Sequence, residues 1–227
     1  MVAPLKLIIF DVDGTLVDSQ ADIVAAMTYA FAQAGRAAPS RRAILGHVGL
    51  ALDVILERLA GDLPEATRVQ MVGWYKEAYF GLREGKGTPA SSPFYPQVRE
   101  VLEALHAVPH YLLGIATGKS RRGLDRLLDD HALRPLFVTH QAGDLYPSKP
   151  HPAMLEACLS ETGLGPADAV MIGDTSFDME MAAAIGMRRI GVSWGYHRRD
   201  ALREAEHILE EMGELPAVLD TIWGELR

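Results

Sequence analysis

The chain has 227 residues, 48% hydrophobic and 23% charged, enough apolar material for one large domain or two modest ones. Its net charge of −8 is spread rather than blocked, which weighs against broad nucleic-acid binding, because phosphate backbones reward clusters of Lys and Arg. No apolar stretch approaches the roughly 20 residues that span a bilayer, and a single cysteine, Cys158, excludes an internal disulfide framework. A soluble, cytoplasmic protein with no membrane partner is the expectation.

The chain opens on an apolar run, Leu5–Phe10, too short for a secretory core and running directly into Asp11. Similar runs at Tyr111–Ala116, Ala169–Ile172 and Arg189–Val192 have the composition of strands buried on both faces. Helical spacing follows them. Val98, Val101, Leu102 and Leu105 mark one helix, with Pro96 suited to its first turn. Leu124, Leu127 and Leu128 mark the next; Met154, Leu155, Cys158 and Leu159 another; Phe177, Met181, Ala184 and Ile185 a fourth. Strands alternating with helices of this length predict right-handed βαβ crossovers and a Rossmann-like parallel sheet in an α/β core. Cys158 reads as apolar filling of its helix.

The first strand breaks that rhythm. Residues 18–88 read as helical throughout, with Ser19 suited to cap a helix whose apolar face is Ile23, Met27, Ala30, Phe31 and Ala34. Ser40, Asp53 and Pro64 lie near further helix starts. The stretch ends in Gly85, Gly87, Pro89, Ser91, Ser92 and Pro93, a linker-like composition. The predicted organisation is therefore a core of residues 1–17 and 89–227 with an inserted all-helical cap at 18–88.

Ligands of an open parallel sheet sit at the carboxyl ends of its strands. The first strand ends in Asp11-Val12-Asp13-Gly14-Thr15 and the second in Thr117-Gly118-Lys119. Lys149-Pro150 opens a helix after the segment around Phe137–His140, and Asp174 follows a strand, with Asp178 four residues on. Two carboxylates about 4 Å apart repel by roughly 4 kcal/mol at an effective dielectric of 20. Asp11, Asp13, Asp174 and Asp178 thus call for a hard divalent cation, and an oxygen-rich site that meets phosphate suits Mg2+. The eight histidines have no zinc-ligand spacing with the cysteine. Each residue also has a plain structural role open to it. Asp11 and Asp13 suit a turn, Thr117-Gly118 a strand-to-helix turn, Lys149 a solvated helix entrance, Asp174 a helix cap, and Asp178 a solvated i, i+4 acid. For Lys119, Arg121 and Arg122 a charged helix face competes with attraction of an anion.

The run from Asp11 to Ser19, DVDGTLVDS, resembles the signature of the haloacid dehalogenase-like hydrolases. Thr117, Lys149-Pro150 and Gly173-Asp174…Asp178 resemble that superfamily's other motifs, in order and over nearly the whole chain. The resemblance implies Asp11 as nucleophile through an aspartyl-phosphate and Asp13 as general acid and base, its backbone carbonyl facing the metal. It further implies Thr117 and the Gly118 amide as holders of phosphoryl oxygens. Lys149 would neutralise charge and orient Asp11; Asp174 would bind magnesium directly, and Asp178 through water or as a brace for Lys149.

Dehalogenating and phosphonate-cleaving relatives lack an aspartate at the position of Asp13, so its presence favours phosphomonoester hydrolysis. Size, cap position and Ser148-Lys149-Pro150-His151-Pro152 resemble the phosphoglycolate-phosphatase-like branch, implying a small phosphorylated metabolite as substrate and a monomer or homodimer. A sugar-phosphate mutase and a non-catalytic phosphate-binding module remain as alternatives. In the cap, Ile44–Leu50 lies where specificity residues are expected, and His47 is the one side chain nominated there; Gly46 and Gly49 suit either ligand approach or a turn.

Overall fold

The five residues Lys6–Phe10 (β1) are buried without exception, as a strand covered on both faces must be. Alternate side chains serve opposite layers. Ile8 and Phe10 join one apolar cluster with Val98, Leu102 and Leu124, while Leu7 and Ile9 join another with Met154, Cys158 and Met181. Burying each such side chain stabilises the fold by about 1.5–3 kcal/mol. The computed structural model describes residues 4–86 and 91–224.

The sheet has six strands in the order β3-β2-β1-β4-β5-β6, with β2 Tyr111–Thr117, β3 Thr139–Ala142, β4 Ala169–Gly173, β5 Arg188–Val192 and β6 His207–Leu209. Every pairing is parallel, and β1 at the centre sets Phe10 opposite Ile115 on one side and Ile172 on the other. The four expected strands are present. The two edge strands were not legible: β3 reads Thr-His-Gln-Ala and β6 spans three residues, so neither carries an apolar run. The crossover helices are α5 Val98–His106, α6 Arg121–Asp130, α7 Ala153–Thr162 and α8 Ser176–Ala183, and α9 Leu215–Trp223 packs beside α5. In α5 the apolar face falls where the spacing placed it, but Pro96 precedes the helix, whose cap is Gln97 in a left-handed conformation at φ 64°. Cys158 is buried, and burial pushes its thiol up to about 12, in keeping with apolar filling.

Between β1 and α5 the chain forms α1 Gln20–Gln33, α2 Arg41–Leu45, α3 Leu52–Leu59 and α4 Glu65–Lys86, with no strand among the described residues of this stretch. These helices build a separate apolar cluster from Ile23, Met27, Phe31, Ile44, Leu56 and Met71. The faces follow from sequence, yet one cap does not: Ser19 stands at the N-cap of α1 without capping it, because its hydroxyl donates to Asp13 instead. Ser40 does cap α2, accepting from the Ala43 amide at 3.2 Å. Helix α4 carries Gly85 within it, so the linker-like composition begins too early as a helix terminator. Gly87, Pro89 and the boundary between residues 88 and 89 lie outside the described residues. The outgoing and returning chains pair at Val17 and Phe94, with the Asp18 amide donating to Pro93 O at 2.9 Å and the Tyr95 amide to Leu16 O at 3.1 Å.

Leu56 is fully buried at the centre of the helical cluster. Leu56→Ala is expected to cost about 2–5 kcal/mol, measured as a lowered midpoint of urea unfolding; a loss under about 1 kcal/mol would show that this cluster adds little to the folded state.

Candidate active site

Parallel strands all end on one edge of the sheet, where Thr117 closes β2 and the residues just past β1 and β4 are Asp11 and Asp174. Asp11 leaves β1 with its amide bound to Ile172 O at 2.9 Å, so its position is set by the neighbouring strand. Beneath it Lys149, fully buried, places its ammonium 3.0 Å from Asp11 Oδ1 and 2.6 Å from Asp178 Oδ1. Asp178 is held from its own helix: its Oδ2 accepts from the Thr175 amide at 3.0 Å and the Thr175 hydroxyl at 2.6 Å, in a capping box. Both oxygens of Asp178 are thereby engaged, which is the geometry of a brace for Lys149. Asp174 accepts from the Thr15 hydroxyl at 3.0 Å and from the Tyr196 amide at 2.7 Å.

Oxygens of Asp11, Asp174 and Asp178 all lie within 4.8 Å of one another, each residue buried. The Asp13 carboxylate is not in this trio. It turns to Lys119, whose ammonium is 2.7 Å from Oδ2, and it accepts from Ser19. The expectation that Asp13 meets a metal therefore rests on its backbone carbonyl alone. Close approach around Asp174 demands glycine: a Cβ on Gly14, at φ 93°, would lie 2.2 Å from Asp174 Oδ2, and one on Gly195 would lie 2.1 Å from Asp174 Cβ.

The Lys149 ammonium contacts two of these three buried carboxylates, Asp11 and Asp178. Burial pushes the Asp11 carboxyl up to about 6, against the pull of Lys149, and the charges of Asp178 and Asp13 add to the rise. Burial and the charges of Asp11 and Asp178 hold Asp174 well above the usual carboxylate range. For Lys149 burial acts to lower the value, and the two aspartates outweigh it and raise it. Both oxygens of Asp11 are buried without a well-aligned hydrogen-bond donor. A buried carboxylate paired only with the Lys149 ammonium on one oxygen, beside two other buried acids and with oxygen the only donor type, fits a hard divalent cation.

Thr117 and Gly118 line a cavity of about 460 Å³ together with Asp11 and Asp13. Lys149, Asp174 and Asp178 do not line it. The helices α1–α4 form the opposite wall and touch the rim at several points. The Ala51 amide donates to Ser148 Oγ at 2.9 Å, and a Cβ on Gly118 would sit 2.3 Å from the Gly49 carbonyl oxygen. Gly49, at φ 104°, thus brings backbone against backbone, while Gly46 closes α2 in an ordinary helical conformation. His47 does not line the cavity; its Nδ1 lies 2.8 Å from Ala43 O within its own helix turn. His197 accepts from the Ser176 amide at 3.1 Å through Nδ1, so Nε2 carries the hydrogen donated to Gly46 O at 3.2 Å.

Lys119 was underweighted by sequence reasoning. Its side chain is only 5% exposed, and besides Asp13 it donates to the Tyr79 hydroxyl of α4 at 3.0 Å. Its position two residues past Thr117, on the same rim, was the available signal. Arg122, by contrast, lies over Phe80 with its guanidinium 4.2 Å from the ring centroid, and Arg121 pairs with Asp125 on its own helix.

In metal-free protein the folded state keeps a proton on Asp11 that the unfolded chain, at 3.8, has released. This group therefore favours folding least above about pH 6 and most below about pH 4, and stability falls as pH rises through that window. Thermal unfolding in chelator should show wild type losing ground to Asp11→Asn from pH 5 to pH 7. Magnesium should raise the wild-type Tm more at pH 7 than at pH 5, and the Asp11→Asn Tm much less; a magnesium effect independent of pH and of Asp11 would contradict this placement of charge.

The family model described as haloacid dehalogenase-like hydrolase matches residues 8–192. The protein named "Probable phosphatase IndB" from Dickeya dadantii is 35% identical over 201 residues, covering 88% of this chain and 86% of that protein. A phosphoglycolate phosphatase from Vibrio parahaemolyticus is 27% identical over 225 residues, covering 95% and 96% of the two chains. Among solved structures, a haloacid dehalogenase-like family hydrolase from Streptococcus pneumoniae superposes with a TM-score of 0.81 at 27% identity, covering 95% of this chain and 98% of its own. A strand-end carboxylate rim, a buried lysine and this breadth of similarity agree, and the chain belongs to the haloacid dehalogenase-like hydrolases.

Proposed function

We propose that this hydrolase is a magnesium-dependent phosphatase that acts on a small phosphate monoester through an aspartyl-phosphate on Asp11. The observation that carries the reading is the Asp11 carboxylate itself. It is buried, unclaimed by any well-aligned donor, 3.0 Å from a fully buried ammonium, and on the wall of a cavity large enough for a metabolite. The names of the relatives from Dickeya and Vibrio support the same chemistry.

In the first step an Asp11 oxygen attacks phosphorus and the ester P–O bond breaks. Asp13, entering protonated, gives its proton to the departing alkoxide. In the second, Asp13 takes a proton from water as that water attacks phosphorus, which frees inorganic phosphate and restores the Asp11 carboxylate. Lys149 offsets negative charge on the transferring group and fixes Asp11. Thr117 and the Gly118 amide would hold phosphoryl oxygens. Lys119 and Ser19 fix the direction of the Asp13 carboxylate, and Asp178, locked by Thr175, fixes Lys149. Magnesium, held by Asp11, Asp174 and the Asp13 carbonyl, would supply compensation for the negative charge of phosphate and aspartates together.

The helices α1–α4 would act as the cap. The Val17–Phe94 pairing is where the two connecting segments run side by side, and the loop before α3 and residue Tyr79 of α4 meet the core rim. The mutase alternative finds no support in this wall: Arg41 and Arg42 are exposed and line no part of the cavity, and His47 is bound within its own helix turn.

Asp11→Asn should keep the fold by far-UV circular dichroism and lose more than about 99% of phosphate release from an aryl phosphate, consistent with removal of a nucleophile. Chelator should abolish wild-type release and magnesium restore it. Acid-quenched wild type should carry a phosphoryl adduct by intact-protein mass spectrometry that is absent from Asp11→Asn. Retention of more than a few per cent of activity in the variant would overturn the mechanism.

A further inference from the structure

The cavity beside Asp11 has two chemically distinct walls. Asp11, Asp13, Thr117 and Lys119 line it from the strand termini. The helical layer supplies the apolar end of the lining: Met27, Ile55 and Val72 give aliphatic surface, and Tyr75 and Tyr79 give two rings stacked 5.7 Å apart at an interplanar angle of 12°, with Asp53 and Lys76 as the charged exceptions and the Tyr79 hydroxyl accepting from Lys119. Its volume of about 460 Å³ falls in the range of roughly 300–1,000 Å³ typical of pockets for ligands with a substantial organic body. A phosphorylated two-carbon acid would leave most of this apolar wall facing water, where it contributes nothing to binding.

The cations of the lining argue the same way against an acid that carries a carboxylate besides its phosphate. Among the described residues lining the cavity they are Lys119 and Lys76. Lys119 is already engaged by Asp13 and the Tyr79 hydroxyl, and Lys76 is exposed on α4. A substrate carboxylate would thus meet no dedicated buried donor. An uncharged body with a flat apolar ring matches both the walls and the charge.

We propose that the preferred substrate is a phosphate monoester whose alcohol carries a bulky, flat apolar ring, seated against Tyr75, Tyr79 and the Met27–Ile55–Val72 wall while the phosphoryl group meets Asp11. The proposal rests on the phosphatase reading and adds the class of leaving alcohol to it. Apolar pockets discriminate by about 10–200-fold for each methylene that fits, so a ring should be favoured by at least that much.

The test compares kcat/KM for ethyl phosphate, phosphoglycolate and 2-phenylethyl phosphate with wild type and magnesium. All three are esters of primary alcohols, which keeps intrinsic reactivity comparable. The expected result is a preference for 2-phenylethyl phosphate over both others of about a hundredfold, with at least about tenfold needed to support the proposal. Val72→Trp, which fills the apolar end, should lower that ratio by about tenfold or more, its folding checked by circular dichroism. Magnesium- and Asp11-dependent release with a ratio below about tenfold, or with phosphoglycolate fastest, would overturn the inference and leave the phosphatase standing. An unchanged ratio in folded Val72→Trp would equally overturn the assigned seat. No release from any ester would overturn the phosphatase reading and this inference with it.

Discussion

The fully buried Lys149 ammonium organises this site. Lys149 has no exposed side-chain surface, and it spans Asp11 at 3.0 Å and Asp178 at 2.6 Å. An ammonium so buried stays charged only because it is paired on both sides, and breaking such a pair is strongly destabilising because the remaining charges stand uncompensated. Lys149 comes from the loop after β3, Asp11 from the end of β1 and Asp178 from the first turn of α8. The ion triad therefore ties three separate segments of the rim to one point, and the direction of Asp11 follows from that anchoring, while Asp174 is held separately by the Thr15 hydroxyl and the Tyr196 amide.

The capping box at α8 shows how a local rule of helix formation serves this arrangement. Thr175 and Asp178 exchange hydrogen bonds as any capping pair does. Here the same exchange leaves Asp178 Oδ1 aimed at Lys149. Glycine contributes at equally specific places. Gly14 and Gly195 make room for the Asp174 carboxylate, and Gly118 makes room for the Gly49 carbonyl of the helical layer. Charge and close packing are thus concentrated at the same rim, leaving the cluster of acids with fixed geometry and excess negative charge.

That excess connects fold to chemistry. Burial, together with the neighbouring carboxylates, raises the values of Asp11 and Asp174, an electrostatic cost that a bound divalent cation would offset. The helical layer completes the site from the other side. Tyr79 reaches Lys119, which in turn holds Asp13, so the helical wall of the cavity is joined through two contacts to the carboxylate proposed for proton transfer.

The central strands, the crossover helices and the four motif segments were legible in the sequence, because buried parallel strands are continuous apolar runs and topology alone delivers their ends to one edge. Asp11, Lys149, Asp174 and Asp178 follow from that rule. Edge strands β3 and β6 were not legible, since a short strand with one neighbour is specified by pairing rather than by its own composition. Tertiary structure also decided what sequence spacing left open. Ser19 gives up its cap for Asp13, and Lys119 turns from a nominal surface helix face into a buried partner of Asp13 and Tyr79. Asp178 Oδ1 accepts from the Lys149 ammonium, and the His47 ring lies against Ala43 O instead of lining the cavity. Local sequence determines what forms and where the strands end; side-chain partners drawn from segments more than a hundred residues apart, such as Asp13 and Lys119, exist only once the chain has closed on itself.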